Sequence, residues 1–562
     1  MKFPVTFFIS IWISSLIGQN NSKPNILWIT CEDISPYLGA YGYDIQTPNI
    51  DRLAKEGVRY KKAYTTAGVC APSRSAMITG MYQTSIGTQH MRTIGDPRFQ
   101  PVPSYSAVIP DYVKCFPEYL RKAGYFCTNN EKQDYQFIAP VTVWDENGPA
   151  ASFRHRPDHK PFFSVFNFGI THESQLFSRT DSLLIDPEHV TVPPIYPDTK
   201  TVRHDIARLL TNIENMDRQV GELLNMLVQD GLYDHTIIFF FSDHGGALPW
   251  MKREILERGT HIPFIIRYPH AEHAGETNND LVSAVDFAPS ALSLAGVSIP
   301  KHMQGQSFLG SQKSVKPRKY VFAARDRMDT EYDRVRMVRD QEYRYIFNYM
   351  PDKPNYQNIE YRLGIPMMKD ILFMRDHQKL DSNQMHWFRT KPVEELYNVD
   401  QDPYELNNLA SNPRYQSKLN ELRTVFKQWT LQYGDLGSMT EKAMIRKMWN
   451  GTDAPPITAD AMIDHLSNGL KLTCTTKGAS IGYRIKSTYE KPVTQTVQSW
   501  DMGFAFGRKN GINQTISPSW NVYQGENIQL NKGDTLIVKS MRIGYTESIV
   551  KYIDGKTIIP ER

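Results

Sequence analysis

Apolar, strand-forming runs that alternate with amphipathic helical segments constrain the fold of this chain more than any other feature. Continuous β-prone runs cover residues 25–30, 161–168, 236–241 and 264–267. Strands with no polar alternation are buried on both faces, as in parallel sheets. A helix predicted over about 202–229 carries one apolar face that can pack on such a sheet. The pattern predicts an α/β fold with a mainly parallel sheet covered by helices on both sides.

Polar residues that can bind a metal or a substrate follow these strands directly. Glu32 and Asp33 follow the first strand, His172 lies shortly after the second, and Asp243 and His244 follow the third. In open parallel sheets, ligands bind at the carboxyl ends of the strands. Carboxylate oxygens grouped there suit a hard divalent cation, although a histidine nitrogen weakens the case for calcium against magnesium or manganese. The two acidic pairs are therefore candidate metal ligands.

A candidate nucleophile lies in the segment 70–80, which reads CAPSRSAMITG. Cys70 stands where a helix is expected to begin after a turn, and a helix start offers free backbone N–H groups and a positive dipole end. Arg74 lies one turn later and can neutralise a developing anion through two hydrogen bonds. A single cysteine is more often a small buried apolar residue, so the prediction of a nucleophile depends on the whole pattern of the segment.

The segment resembles the signature of the formylglycine-dependent sulfatases, C-x-P-S-R-x-x-hydrophobic-x-T-G, with Met77 in the apolar position. The resemblance runs over about 25–435 and includes the stretch ELYNVDQDPYELNNL at 395–409. The stretches around Gln89-His90 and 171–174 are most similar to bacterial relatives of N-sulfoglucosamine sulfohydrolase. The resemblance implies an alkaline-phosphatase-like fold with a smaller C-terminal subdomain.

The same resemblance assigns roles to individual residues. It implies that a formylglycine-generating maturation enzyme converts Cys70 to formylglycine (3-oxoalanine), whose hydrate attacks sulfur. Lys132 and Lys252 would grip the sulfate, with Arg253 as the rival to Lys252, and His172, with a pKa near neutral, would protonate the leaving group. The implied catalytic residues are Cys70, Arg74, Lys132, His172 and Lys252. The implied calcium ligands, with magnesium and manganese as weaker alternatives, are Glu32, Asp33, Cys70, Asp243 and His244.

The chain departs from the family pattern at Glu32, which replaces Asp, at His244, which replaces Asn, and at Asp134, which replaces His. Asp134 could orient either Lys132 or the substrate. His90, Arg92 and Arg325 are also predicted to lie on the substrate side. His90 and Arg92 could instead cap a helix end, and Arg325 could instead belong to a salt-bridge cluster.

The predicted function is hydrolysis of sulfate esters on a sulfated polysaccharide or its oligosaccharides, either an algal polysaccharide such as ulvan or a glycosaminoglycan. O-sulfate and N-sulfate both remain open. Two rival functions are a phosphatase or phosphonate hydrolase, which normally uses Ser or Thr as nucleophile, and a non-catalytic carbohydrate-binding relative. A net charge of +4 without a long Lys/Arg run argues against a nucleic-acid partner.

The chain is long enough for several domains. Residues 1–19 resemble a signal peptide whose apolar run is too short to span a membrane, which predicts export to the periplasm or the medium, and no later segment reads as a membrane span. Cys115 and Cys127 could pair or remain free thiols. The predicted units are a signal peptide at 1–19, an α/β catalytic domain at 20–317, a C-terminal subdomain at 318–450 and an appended β-sandwich at 455–562.

Overall fold

An eight-stranded sheet forms the centre of the protein. The computed structural model describes residues 23–95, 102–486, 519–553 and 556–558, so the predicted signal peptide lies outside the described residues. The strand order is β4-β3-β5-β1-β6-β7-β2-β8. The strands are β1 Asn25–Cys31, β2 Val58–Tyr64, β3 Phe126–Asn130, β4 Glu146–Asn147, β5 Phe162–Phe168, β6 Thr236–Ser242, β7 His261–Arg267 and β8 Glu276–Ser283.

The sheet is mainly parallel, which confirms the predicted fold class. Strands β4, β3, β5, β1 and β6 run in one direction, and β2 is parallel to β8. Strand β7 is the exception, since it is antiparallel to both of its neighbours. The segment between β6 and β7 contains only a four-residue helix, whereas a parallel pair needs a crossover long enough to return the chain to the other end of the sheet.

Helices cover both faces of the sheet. Neighbouring residues of β1 point into two different apolar cores, with Leu27 in one and Ile26 in the other. The long α6 fills the first core, while α4 and α8 contribute to the second. The helices of this part are α1 Pro48–Lys55, α2 Cys70–Thr79, α3 Gln83–Ile86, α4 Phe116–Lys122, α5 Gln175–Ser178, α6 Lys200–Gln229, α7 Glu257–Thr260 and α8 Phe287–Leu294.

A second, four-stranded antiparallel sheet follows, with the order β12-β11-β10-β9. Helix α11 packs on it, and the rings of Phe322 and Trp429 stack with their centroids 5.0 Å apart. Its strands are β9 Val321–Arg325, β10 Val335–Arg339, β11 Tyr343–Asn348 and β12 Glu394–Asn398. The accompanying helices are α9 Pro366–Asp376, α10 Ser382–Met385, α11 Gln416–Tyr433 and α12 Glu441–Met448.

The C-terminal module contains a two-stranded and a five-stranded antiparallel sheet, the latter in the order β16-β15-β17-β18-β19. Apolar residues from both sheets, such as Leu472 and Val538, form one shared core. The strands are β13 Met462–Leu466, β14 Gly469–Thr473, β15 Ser480–Lys486, β16 Asn521–Val522, β17 Thr535–Met541, β18 Ser548–Ile553 and β19 Lys556–Ile558.

The module packs directly on the catalytic part of the protein. Ile543 is buried in the apolar core that also holds Trp28. Lys114 Nζ donates hydrogen bonds to the Gly478 carbonyl at 2.7 Å and to Ser480 Oγ at 2.9 Å. The interface therefore contains both apolar and polar contacts.

All five cysteines, including Cys115 and Cys127, are free thiols in the structure. Within the described part of the chain, no helix combines the length and the apolar composition needed to cross a membrane.

Candidate active site

Cys70 is the first residue of α2, and every residue of this helix is buried. The preceding Val69 is extended, with φ −153° and ψ 151°, so the chain turns from extended backbone into the helix at the cysteine. The thiol Sγ lies 3.4 Å from His244 Nε2, 3.7 Å from Glu32 Oε2 and 4.0 Å from Asp33 Oδ1. The candidate nucleophile thus lies at a helix start, beside the acidic residues that follow β1.

The predicted metal ligands that follow β1 and β6 converge because these two strands are adjacent and parallel. Cys31 pairs with Ser242 in the register of these strands, which brings the residues after each strand together. The ligand atoms of Asp33, Cys70, Asp243 and His244 lie within 4.8 Å of one another, and an overlapping group contains Glu32 and His172. Oxygen and nitrogen ligands at this spacing are able to bind one divalent cation.

The environment of His244 suits a metal ligand. Its Nδ1–H donates to the Gly245 carbonyl at 2.9 Å, so Nε2 points toward Asp33 Oδ1, 2.8 Å away. Burial lowers the pKa of His244, but Asp243 and Asp33 outweigh it and raise that pKa to about 10. Without a cation the ring therefore carries a proton on Nε2, and a divalent cation can replace that proton. The residues present fit a bound divalent metal ion.

Three cations balance the three carboxylates of this cluster. Arg74 Nε lies 3.0 Å from Asp243 Oδ2, Lys132 Nζ lies 2.6 Å from Glu32 Oε2, and Lys252 forms an ion pair with the third carboxylate. A divalent cation that replaces the proton of His244 beside these six groups leaves an excess of positive charge. The completed site would therefore favour an anionic ligand.

His172 lies beyond the end of β5, next to this cluster. The backbone N–H of Ser174 donates to His172 Nδ1 at 3.3 Å, and Ser174 Oγ lies 2.9 Å from the same nitrogen, so the neutral ring carries its proton on Nε2. Burial, followed by the charge of Lys252, lowers the pKa of His172 to about 3. This value differs from the near-neutral pKa expected from the sequence, because the sequence shows neither the burial of the ring nor the lysine charge beside it.

A pocket of about 490 Å³ opens above the cluster. The described residues that line it include the candidate catalytic groups and, on its walls, Arg92, Asp134 and Tyr361. Arg92 Nε lies 2.6 Å from Asp329 Oδ1, and its guanidinium stacks over the Tyr361 ring at 4.7 Å. The candidate catalytic residues on the pocket wall are Cys70, Lys132, His172 and Lys252.

Two residues predicted to bind substrate do not line this pocket. His90 is 4% exposed, and its Nδ1 accepts a hydrogen bond from the Arg327 backbone N–H at 3.3 Å. Arg325 is 1% exposed and forms ion pairs with Glu254 and Asp333. Buried polar partners hold both side chains, and those of Arg325 form the salt-bridge cluster named above as its structural alternative.

The sequence interpretation missed an ion pair between the loop that follows β5 and the loop that follows β6. Arg253 donates to both carboxylate oxygens of Glu173 at 2.6 Å, and both side chains are buried. Arg253 is therefore engaged by Glu173, while its neighbour Lys252 reaches the acidic cluster. Asn167 was missed as well; it accepts a hydrogen bond from Arg74 at 2.8 Å, and a polar residue inside the apolar run of β5 is the signal that could have revealed it.

Comparison with known proteins agrees with this geometry. The sulfatase family profile matches residues 24–297, and the profile of the N-sulphoglucosamine sulphohydrolase C-terminal region matches residues 246–380. An ulvan-active sulfatase from Formosa agariphila is 41% identical over 564 aligned positions, which cover 94% of this chain and 90% of that protein. Human N-sulphoglucosamine sulphohydrolase is 24% identical, with 75% of this chain and 92% of that protein covered.

Solved structures share the fold at lower sequence identity. A 2-O GAG sulfatase superposes with a TM-score of 0.55 at 21% identity, covering 74% of this chain and 94% of that chain. A phosphonate monoester hydrolase from Agrobacterium radiobacter superposes with a TM-score of 0.53 at 16% identity, covering 73% and 96%. The fold alone is thus compatible with two kinds of hydrolase, whereas the full-length match at 41% identity decides between them. The chain belongs to the sulfatase family and is a sulfuric ester hydrolase.

Proposed function

We propose that the protein is an exported sulfatase that removes sulfate from a sulfated polysaccharide or its oligosaccharides and uses a formylglycine derived from Cys70. The observation that carries this proposal is the convergence of Cys70 Sγ at the start of α2 with three carboxylates, His244 and three cations. The sulfatases share this nucleophile chemistry as a family. The signal-like residues 1–19 support export.

The unmodified thiol is a poor nucleophile in this site. Burial raises the pKa of the Cys70 thiol above its ordinary value, even though Lys132 and Lys252 act in the opposite direction. At neutral pH the side chain would therefore remain a thiol rather than the reactive thiolate. Formylglycine at this position supplies, as its hydrate, an oxygen nucleophile toward sulfur. The N–H groups at the start of α2 and the guanidinium of Arg74 are placed to stabilise negative charge at residue 70.

Glu32, Asp33, Asp243 and His244 would hold the divalent cation. Calcium is the preferred ion because three of the four side chains offer carboxylate oxygens, and magnesium and manganese are the alternatives that a histidine ligand admits. Such a cation, when bound, neutralises charge on a sulfate oxygen.

Lys132 and Lys252 would bind the sulfate group from the pocket side of the cluster. Burial and then the charge of Lys252 lower the pKa of His172, and a sulfate between the two lysines would offset the second of these causes. His172 then donates a proton from Nε2 to the departing oxygen. The hydrogen bonds from Ser174 to Nδ1 hold the ring in the orientation that this transfer needs.

Arg92 and Asp134 would contact the sugar, since both lie on the pocket wall. Asp134 lies 3.4 Å from Lys132 and is 33% exposed, so its carboxylate can orient the lysine and accept a hydrogen bond from a sugar hydroxyl. Ulvan is the first substrate to test, because the 41% identical relative is named for activity on it. Glycosaminoglycans, including N-sulfated glucosamine, are the second class.

The test uses the mature protein produced with and without a formylglycine-generating enzyme. We expect sulfate release from 4-nitrophenyl sulfate and from ulvan only after co-production, and none from Cys70→Ala. The tryptic peptide that contains residue 70 should be about 18 Da lighter than its cysteine form, as expected for an activated covalent nucleophile made from the thiol. An unmodified protein with full activity would contradict the proposal. Faster release of phosphate than of sulfate would favour the phosphonate hydrolase alternative. If the N-terminal residue of the mature protein is Met1, export with cleavage near residue 19 is refuted.

A further inference from the structure

One face of the five-stranded sheet in the C-terminal module carries five basic side chains. The register places Arg484 opposite Ile537, which is opposite Lys551, and it places Gly482 opposite Lys539. Because side chains alternate between the two faces of a strand, residues that are paired across the sheet point to the same side. The basic residues on this face are Arg484, Lys486, Lys539, Lys551 and Lys556.

The opposite face of the same sheet is the apolar core of the module. Leu536, Val538 and Val550 alternate with the basic positions and are buried there. Tyr483 also packs against this core, and it is thus directed away from the basic face. The basic face is therefore the face turned away from the module's own core. Its end at Ser480 packs on Lys114 of the preceding part of the chain, whereas Lys486, Lys551 and Lys556 lie at exposed positions.

No acidic residue lies in the described strands β15 to β19. Among the five basic residues, Lys539 has a carboxylate partner at its edge, Glu547, at 2.7 Å. Lys486, Lys551 and Lys556 are exposed. The face thus presents an excess of positive charge, although the chain as a whole has a net charge of only +4.

An aromatic ring lies within this basic face. A Cβ added to Gly482 would meet Val141 Cγ2, outside the module, at 2.8 Å and would lie 3.5 Å from Trp520 Cε3, so the indole lies beside the place where the sheet packs on Val141. The Arg484 guanidinium stacks at 4.3 Å from the Trp520 ring centroid, and Lys539 Nζ lies 5.5 Å from it. Glycine at 482 leaves room for Val141, and the neighbouring ring orients the two cations.

Arg484 has no carboxylate partner among the described residues, and its Nε makes no hydrogen bond with them. Burial lowers the pKa of Arg484, and no acidic group within the described part of the chain opposes that effect. A half-buried guanidinium held on an aromatic ring without a counter-ion is prepared to bind an anion. This contrasts with the buried arginines of the catalytic part, such as Arg253 and Arg325, which have carboxylate partners.

We propose that this face, formed by Arg484, Lys486, Lys539, Lys551 and Trp520, binds a sulfated polysaccharide chain outside the catalytic pocket. The charge selects a polyanion, and Trp520 offers an aromatic surface next to the cations. None of these residues lines the catalytic pocket. The inference rests on the proposed function for the identity of the ligand. The C-terminal module would bind the polymer, whereas turnover of small substrates would not require this face.

The experiment measures binding and turnover separately on the full-length protein. Affinity electrophoresis in gels that contain ulvan, dextran sulfate or neutral dextran gives the retention of wild type, Arg484→Ala/Lys551→Ala and the milder Arg484→Gln/Lys551→Gln. Lys471→Ala/Lys532→Ala is the matched control, because it removes the same charge from exposed positions outside the five-stranded sheet. Thermal melting of each variant shows whether the fold is kept.

We expect the dissociation constant for ulvan and dextran sulfate to rise about tenfold in the two face variants and less than about twofold in the control, with the difference shrinking at high salt. Turnover of 4-nitrophenyl sulfate should stay within about twofold of wild type in all variants. Equal retention of the face and control variants, or equal retention on neutral dextran and dextran sulfate, would overturn the inference. If wild type releases no sulfate from any substrate but the face variants still lose retention, the proposed function fails while the binding face stands.

Discussion

Replacing His172 with Ala tests the assignment of the leaving-group proton most directly. The substitution removes the Nε2–H group from the pocket and leaves Lys132, Lys252 and the acidic cluster in place. Sulfate binding should therefore change little, whereas leaving groups that need protonation should lose the contribution of a general acid. That contribution is typically about 10²–10⁴ in rate.

The expected loss depends on the leaving group. For a sugar hydroxyl or an unactivated phenol we expect kcat/KM to fall by about 10³, or ~4 kcal/mol of transition-state stabilisation. For 4-nitrophenyl sulfate, whose leaving group departs as an anion near neutral pH, the loss should be below about tenfold. Ser174→Ala is the control, since the Ser174 backbone N–H still donates to Nδ1 when the hydroxyl is removed. It should reduce kcat/KM by less than about tenfold while keeping the same dependence on the leaving group.

The assay is kcat/KM for a series of aryl sulfates with graded leaving-group pKa, plotted on a logarithmic scale against that pKa. His172→Ala should give a steeper negative slope than wild type. Parallel lines, with equal losses on activated and unactivated substrates, would refute the general-acid role and leave His172 as a positioning or sulfate-binding residue.

Three further predictions concern the metal, acid stability and the module. Chelation of the metal, or the substitution Asp243→Asn, should abolish turnover and lower the melting temperature. Added calcium should restore both properties in the chelated wild type. Full activity in a protein that metal analysis shows to contain no divalent ion would contradict this prediction. Burial opposes ionisation of Asp435, but Arg336 outweighs it and lowers that pKa from 3.8 to about 2. The ion pair therefore contributes ~2 kcal/mol above pH 4, and this contribution is lost as the pH falls through 2. Asp435→Asn should lower the urea midpoint at pH 7 and match wild type near pH 2, and an equal loss at both pH values would exclude the ionic origin. Deletion of 455–562 should lower the melting temperature, because it removes Ile543 from the apolar core that also holds Trp28. The molecules that remain folded should keep wild-type turnover of 4-nitrophenyl sulfate. Loss of that turnover in soluble, folded protein would show that the module completes the active site.

The sequence by itself determined the parallel strands and the residues that follow them. An apolar run such as 236–241 indicates a strand that is buried on both faces. A pair such as Asp243-His244 directly after that run must therefore lie at the edge of the sheet where the parallel strands end and ligands bind. The start of α2 at Cys70 could be read in the same way, from the spacing of its own segment. These properties depend on neighbours within a few residues, so the linear pattern is sufficient to predict them.

Only the tertiary structure decided which polar residues face the pocket and which are buried in ion pairs. Arg92 and Arg325 look equivalent in sequence, yet one lines the pocket and the other is enclosed by Glu254 and Asp333. The low pKa of His172 depends first on the burial of its ring and then on a lysine 80 positions away in the chain, Lys252. The basic face of the module likewise depends on the strand register that aligns residues separated by tens of positions. Charge interactions and side-chain burial act through space, and their sign and size are set only when the fold brings distant segments together.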